Sequence, residues 1–206
     1  MASPFYAQTA LRYCAAYWSV RRPEALPRQT AQGMMMTTVI LETERLRLRR
    51  YTLDDEPDLC AVFEDSYARM FYPEMIYSEN VRKWIDWNLR NYEEFGFGLW
   101  AMELKVSGAF MGDCGLTYQD IEGQKQLEIG YHIAEAHRRK GYATEAARAC
   151  LKYGFDTTSC LFICSIVRPE NEASWSVARQ VHDDCREIIK GNRPALLFYT
   201  EHDRSA

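Results

Sequence analysis

The segment from Arg138 to Thr144 combines three consecutive cations, a glycine turn and the start of a predicted helix. It follows a predicted strand, Gln126 to Ile133, and the helix is expected to continue to about Phe155. The first N–H groups of a helix have no partners inside it and carry the positive end of its dipole, so they bind anions. Gly141 lets the backbone approach phosphate oxygens closely. The segment therefore predicts a diphosphate site; the alternative is a basic loop that caps a surface helix.

The elements that must position this segment follow from apolar periodicity and turn residues. The predicted strands are Leu46 to Tyr51, Leu99 to Lys105, Ala109 to Gln119, Gln126 to Ile133, Leu161 to Val167, Arg186 to Lys190 and Pro194 to Tyr199. Further helices are predicted from Thr52, from Ser78 as the cap to about Phe95, and from about Asn171 to Val181, with a loop at Tyr67 to Tyr77. This order predicts a mixed sheet with helices on both faces.

Three motifs resemble the GNAT superfamily of acyl-CoA-dependent N-acyltransferases, and they occur in that family's order. Arg138, Gly141 and Ala143 match its signature of Gln or Arg, two residues, Gly, one residue, then Gly or Ala. The run Val167 to Ser174 resembles the family's strand-to-helix junction, which carries Asn and, three residues on, Ser. The opening run Leu41 to Arg49 is typical of the branch that resembles ribosomal-protein-alanine acetyltransferases.

The resemblance covers roughly Thr38 to Tyr199 and implies an α/β (mixed α+β) fold. The expected sheet is predominantly antiparallel and twisted, has about seven strands, and is splayed between the fourth and fifth, here Gln126–Ile133 and Leu161–Val167. Acyl-CoA inserts at the splay in that family, and its pantetheine pairs with backbone as an added strand would. The residues that this implies in cofactor binding are Tyr131, His132, Ile133, Arg138, Arg139, Lys140, Gly141, Tyr142, Ala143, Thr144 and Asn171.

The activity that the resemblance implies is transfer of an acetyl group from acetyl-CoA to a primary amine of a protein N-terminus or small molecule, by direct attack in a ternary complex. An alkylamine is mostly protonated at pH 7, so a carboxylate that removes the proton assists attack. Glu128, in the strand that ends at the splay, is the candidate base, and Glu103 and Asp113 are the next carboxylates to test. The alternative for Glu128 is an exposed strand carboxylate.

Ser174 is the candidate group that hydrogen-bonds the departing thiolate; alternatively, it only helps to cap its helix. Many relatives carry a tyrosine seven residues after the Asn, where this chain has Ala178. The missing tyrosine leaves open a non-catalytic acyl-CoA sensor of the same fold. A second departure is Val181 to Asp184, which lacks the glycine that ends this helix in relatives.

Composition argues against several classes of partner. The 206 residues carry a net charge of −4, whereas a nucleic-acid surface is strongly basic. The seven cysteines are scattered and odd in number, which favours buried thiols in a reducing cytoplasm. No histidine or cysteine has the spacing of a metal site. We therefore expect a cytoplasmic monomer or homodimer with no metal, no nucleic acid and no membrane association.

The first 37 residues differ from the rest in composition. Met1 to Gly33 holds four arginines, no lysine and a single acid, Glu24. Three methionines, Met34 to Met36, stand just before the family-like region, which suggests an upstream start codon; an organellar transit peptide is the alternative. We expect residues 1–37 to form an irregular extension and residues 38–206 to form a single domain.

Overall fold

The computed structural model describes residues 38–202, so the expected extension, residues 1–37, lies outside the described residues. The strands are β1 (Val39–Glu42), β2 (Leu46–Arg49), β3 (Leu99–Leu104), β4 (Phe110–Ile121), β5 (Gln124–Ile133), β6 (Phe162–Val167), β7 (Asp184–Lys190) and β8 (Arg193–Glu201). The α-helices are α1 (Glu56–Phe63), α2 (Ser66–Phe71), α3 (Ser78–Phe95), α4 (Tyr142–Thr157) and α5 (Glu172–Val181). Short 3-10 helices occur at Leu53–Asp55, Pro73–Ile76 and Glu135–His137.

Within residues 38–202 the strands form one sheet of eight in the order β1-β2-β3-β4-β5-β6-β8-β7. Every neighbouring pair is antiparallel except β5 and β6, which are parallel. The predicted mixed α/β class is thus confirmed. The additional strand, β1, was not predicted, because it has only four residues and pairs with one neighbour. With β1 counted, the two strands that were expected to splay, the fourth and fifth of the prediction, are β5 and β6.

The parallel pairing of β5 with β6 is short. It consists of Leu127 beside Ile163 and Glu128 beside Cys164, although β5 continues to Ile133. On its other side, β5 is paired with β4 along its full length. The two central strands therefore separate on one side, as the family resemblance implied.

Helices cover both faces of the sheet near this opening. On one face Gly154 of α4 lies so close to β6 that a Cβ there would be 2.6 Å from a methyl of Ile163. On the other face the Trp84 indole of α3 donates a hydrogen bond to Asp113 of β4, at 3.2 Å. These are called the α4 face and the α3 face below. Because side chains alternate along a strand, odd- and even-numbered residues of β5 point to opposite faces.

The segment that was predicted as a loop, Tyr67 to Tyr77, contains α2 and the 3-10 helix Pro73–Ile76. The Asp65 carboxylate accepts from the backbone N–H groups of Tyr67 and Ala68, at 2.9 and 3.1 Å. This acidic N-cap satisfies donors that a short helix otherwise leaves unpaired, so it explains the turn of helix. The cap of α3 also differs from prediction, since Tyr77 is the N-cap and Ser78 is the first helical residue.

His182 replaces the glycine expected after α5 without disturbing the end of that helix. The helix stops at Val181, and His182 adopts an extended conformation. Its buried imidazole lies 3.1 Å from the Ser165 hydroxyl and 3.3 Å from that of Thr200. Polar contacts with β6 and β8 therefore fix the turn that a left-handed glycine fixes elsewhere.

No helix within residues 38–202 has both the length and the apolar character needed to cross a bilayer. The cysteines of this part of the chain are free, and Cys114 and Cys150 are buried with their sulfurs 3.6 Å apart. Cys185 is exposed, so the expectation of buried thiols does not hold for every cysteine.

Candidate active site

The opening between β5 and β6 is lined by backbone groups of alternate β5 residues. The Ser165 hydroxyl of β6 donates to the Ile129 carbonyl at 2.9 Å, so odd-numbered residues direct their backbone groups towards β6. By the same alternation, Tyr131 and Ile133 present backbone groups beyond this last bridge. Pairing of pantetheine with these two residues stays a prediction.

The backbone of His132 does not face this opening. The His132 carbonyl points at β4, as its distance from Gly112 of that strand shows. A Cβ built on Gly112 would lie 1.9 Å from the carbonyl oxygen. The backbone N–H of Ala134, another even-numbered residue, likewise donates to Met111 of β4 at 2.9 Å. The backbone of His132 therefore cannot serve a ligand in the splay, contrary to prediction.

The His132 side chain belongs instead to a polar network on the α3 face. Its Nδ1 lies 2.6 Å from a carboxylate oxygen of Asp113, which is fully buried. Asp113 also accepts from the hydroxyl of Tyr51 at 2.8 Å and from the indole of Trp84. Asp113 is thus held by three side chains inside the protein, away from the opening between β5 and β6. Glu103, which like Asp113 was an alternative to Glu128 as the base, pairs with Arg49 at 2.6 Å.

Glu128 lies where the β5–β6 pairing ends, and it is partly exposed on the α3 face. One carboxylate oxygen accepts from the backbone N–H of Ile166 at 3.3 Å, and the other is 3.5 Å from the Thr117 hydroxyl. Burial raises the pKa of Glu128 to about 7, against the smaller opposing effects of the Lys190 charge and the Ile166 N–H. This environment does not fit the alternative of a freely exposed strand carboxylate.

The turn before α4 has the geometry of an anion site. Gly141 is the N-cap and is left-handed, with φ of 81°, and Arg139 is also left-handed at 59°. The first-turn N–H groups of α4 belong to Tyr142, Ala143 and Thr144, which precede the first residue with an i–4 backbone acceptor in the helix. The turn therefore directs several donors to one point.

The three predicted cations do not all face that point. Arg138 donates to the Ile133 carbonyl at 3.0 Å, and its two terminal nitrogens bind the Asp65 carboxylate at 3.0 and 2.6 Å. Its side chain thus ties the turn to α2, which differs from the predicted phosphate contact. Arg139 and Lys140 are exposed, and the Lys140 ammonium donates to the Ala136 carbonyl at 2.8 Å.

Asn171 is the N-cap of α5. Its side-chain oxygen accepts from the Ser174 backbone N–H at 3.1 Å and from the Tyr67 hydroxyl at 2.8 Å. Asn171 therefore has a structural role as a helix cap, and its role in cofactor binding stays a prediction. The Tyr67 contact also joins α2 to the β6–α5 junction.

Ser174 has a partner that the sequence reasoning missed. Its hydroxyl lies 3.2 Å from the hydroxyl of Tyr131, which in turn donates to the Ser174 carbonyl at 2.7 Å. Burial raises the pKa of Tyr131, so this hydroxyl stays protonated at neutral pH. Ala178, at the position of the family's tyrosine, is fully buried. A tyrosine hydroxyl thus reaches α5 from the strand instead of the helix; strand alternation gives the face on which Tyr131 lies but not this partner.

Within residues 38–202, no group of three His, Cys, Asp or Glu side chains is arranged to hold a metal ion.

Known proteins resemble this chain in sequence and in fold. The profile described as "Acetyltransferase (GNAT) domain" matches residues 45–182. The Bacillus subtilis (strain 168) protein YkkB is 38% identical over 160 residues, which cover 77% of this chain and 93% of YkkB.

Among solved structures, RimL, the ribosomal L7/L12 alpha-N-protein acetyltransferase in complex with coenzyme A, matches with a TM-score of 0.64 and 18% identity, covering 80% of this chain and 98% of that one. The ribosomal-protein-S5-alanine acetyltransferase of Vibrio fischeri matches with a TM-score of 0.62 and 15% identity, over 81% and 98%. At these identities the structures establish the shared fold. With the profile match across most of the described residues, this chain belongs to the GNAT family of acetyltransferases.

Proposed function

We propose that this protein transfers an acetyl group from acetyl-CoA to a primary amine, by direct attack within a ternary complex. The observation that carries the proposal is Glu128, at the end of the β5–β6 pairing with a pKa raised to about 7. A base works best when its pKa lies near the operating pH. Glu128 removes a proton from the acceptor ammonium, which frees the nitrogen lone pair for attack on the thioester.

The features that support acyl-CoA as the donor lie on either side of Glu128. The backbone groups of Tyr131 and the N–H of Ile133 offer a strand edge to the amides of pantetheine, whereas the Ile133 carbonyl accepts from Arg138. The left-handed Gly141 and the start of α4 offer N–H groups to the diphosphate. Arg139 and Lys140 add exposed positive charge near that turn.

Departure of the thiolate falls to the hydroxyls of Ser174 and Tyr131. A free thiol has a pKa of about 8.5, so the sulfur leaves without needing a strong acid. The raised pKa of Tyr131 means that this hydroxyl keeps its proton at neutral pH. To hydrogen-bond the sulfur, one of the two hydroxyls would turn away from its present acceptor, Tyr131 for Ser174 and the Ser174 carbonyl for Tyr131. This arrangement supports turnover despite Ala178, and so favours an enzyme over a non-catalytic acyl-CoA sensor.

A covalent acyl-cysteine is disfavoured by the cysteines nearest the opening. Cys114 and Cys164 are buried, and burial raises the pKa of both thiols well above the ordinary value. Since the thiolate is the nucleophile, such thiols are unreactive at neutral pH. Direct transfer in a ternary complex needs no such intermediate.

The acceptor is a protein N-terminus or a small-molecule amine, and two-substrate kinetics tests the reaction. Release of CoA from acetyl-CoA would be followed with a peptide that begins with alanine and with a panel of small alkylamines. We expect intersecting initial-rate lines with at least one amine. Parallel lines, together with acetylated protein in the absence of acceptor, would contradict direct transfer. Tight CoA binding with no turnover on any amine would instead support the sensor.

A further inference from the structure

The turn between β1 and β2 is bonded to the start of α4. Glu145, in the first turn of α4, accepts from the Thr43 hydroxyl at 2.5 Å and from the backbone N–H of Arg45 at 2.9 Å. The Arg45 side chain adds an ion pair, with Nε 2.6 Å from the second carboxylate oxygen. Three donors from one turn thus converge on a single carboxylate from a distant part of the chain.

The rest of the Arg45 guanidinium lies on the glycine turn. Its Nη1 donates to the Lys140 carbonyl at 3.0 Å, and its central carbon is 4.5 Å from the centre of the Tyr142 ring. A Cβ added to Gly141 would lie 3.4 Å from Nη2. Nη2 therefore lies beside the space that a side chain at position 141 would occupy.

The position of Arg45 matters because of the negative charge of Glu145 at the start of α4. A carboxylate in the first turn stabilises a helix, but it opposes the binding of a second anion at the same end. The ion pair with Arg45 offsets the charge of Glu145, and the Arg45 side chain remains 41% exposed. The turn thereby gains guanidinium N–H donors that are held in place without added negative charge, and the Arg138 guanidinium is likewise paired, with Asp65.

We propose that Arg45 is a further cofactor-binding residue whose guanidinium contacts the diphosphate of acyl-CoA, while Glu145 and Thr43 hold it in position. The proposal rests on the proposed function, because it takes the turn before α4 as the diphosphate site. A guanidinium suits this task, since its planar fork matches phosphate oxygens and it is always charged. The turn between β1 and β2 then has a physical role: its Thr43 and Arg45 form one wall of the cofactor site.

The test compares Arg45→Gln with Arg47→Gln, two residues apart in the chain. Arg47 is also 41% exposed and also forms an ion pair, 3.2 Å from Glu42, so it is a matched control for loss of one surface charge. Calorimetry would measure the affinity of each full-length variant for CoA and for dephospho-CoA, which keeps the diphosphate but lacks the 3′-phosphate. S-acetylpantetheine, which has no diphosphate, would be compared as the acetyl donor.

We expect Arg45→Gln to weaken binding of CoA and of dephospho-CoA alike, by about 10- to 100-fold, the range for a hydrogen bond to a charged group. Turnover with S-acetylpantetheine should stay at the wild-type level, and Arg47→Gln should bind CoA as wild type does. Arg45→Lys, which keeps the charge without the fork, should fall between the two and carries the test if Arg45→Gln does not fold.

Three results would overturn the assignment: unchanged CoA affinity in Arg45→Gln and Arg45→Lys, a loss for CoA without a loss for dephospho-CoA, or an equal loss of turnover with S-acetylpantetheine. The second result would move the contact to the 3′-phosphate, and the third would make the role of Arg45 purely structural. Wild-type protein that binds CoA but acetylates no amine would refute the proposed reaction alone. Wild-type protein that binds no CoA would refute both proposals.

Discussion

Replacing Glu128 by glutamine should abolish most activity and, above neutral pH, stabilise the fold. Burial raises the pKa of this carboxyl from 4.5 to about 7. The unfolded chain therefore releases the proton near pH 4.5, while the folded protein keeps it until about pH 7. Stability contributed by the protonated form is present below pH 4.5 and is lost as the pH rises to 7.

The size of the effect follows from the two pKa values. Their difference corresponds to about 3 kcal/mol, since one pKa unit is worth about 1.4 kcal/mol. The amide oxygen of the substituted glutamine would still accept the hydrogen bond from the Ile166 N–H, so the substitution removes the charge and little else. For a domain of this size, 3 kcal/mol corresponds to a rise in Tm of roughly 6–12 °C.

The assay is chemical unfolding of wild type and Glu128→Gln at pH 8 and at pH 4.5. The free energy of unfolding of Glu128→Gln should exceed that of wild type at pH 8 and equal it at pH 4.5. Glu122→Gln is the control, because Glu122 is a turn carboxylate whose pKa is lowered by the Arg186 hydrogen bond, so its removal should bring no gain at either pH.

The same variant tests catalysis. Turnover of Glu128→Gln should fall on the order of 10²-fold or more, the usual range for a general base, with the affinity for acetyl-CoA unchanged. In wild type, kcat/KM should rise with pH and level off above about 7, because the base acts when ionised. If Glu128→Gln were no more stable than wild type at pH 8, the carboxylate would not be desolvated as argued. Full activity across pH would place the base elsewhere.

Other predictions follow from single side chains. Burial lowers the pKa of His182 from 6.5 to about 4, so stability should fall by about 3 kcal/mol as the pH drops through that window, and His182→Gln should flatten the dependence in unfolding measurements. Gly141→Val should weaken acetyl-CoA binding more than it lowers stability, because the added side chain blocks the approach of the backbone to the diphosphate; unchanged affinity of the folded variant in calorimetry would contradict the diphosphate site. Ser174→Ala should lower turnover less than Glu128→Gln does, and Tyr131→Phe should lower kcat without shifting its pH dependence; a shifted profile would make Tyr131 a true acid.

The features that the sequence predicted well are those encoded locally. The glycine turn and α4 need only the residues from Arg138 onward, and the sheet follows from apolar alternation with turn residues between strands. Even the end of α5 at Val181 was predicted, although its usual glycine is missing. By contrast, α2 was missed because its stability comes from one cap, Asp65, in a stretch where aromatic residues and Pro73 favour a loop.

Side-chain partners were the harder part, because they join distant segments. Nothing local to Arg138 indicates that its guanidinium binds a carboxylate 73 residues earlier, and nothing local to Arg45 indicates that it meets Glu145. Both contacts depend on packing that forms only when the sheet is complete. The orientation of the His132 backbone, by contrast, could have been predicted from the sequence. Successive strand residues alternate in direction, so the His132 backbone faces away from the splay if the Tyr131 backbone faces it.

Alternation along β5 also explains how one strand can serve both ends of the proposed reaction. Glu128 lies on the α3 face, and Tyr131, three residues on, reaches α5 on the opposite face. A base on one face removes the proton of the incoming amine, and hydroxyls on the other face meet the departing sulfur. Between them, the backbone groups of Tyr131 remain available to the pantetheine because β6 has turned away. Substitutions at Glu128 and at Tyr131 should therefore act independently, with their effects on ΔG‡ adding; strong non-additivity in the double variant would show that the two faces work as one unit.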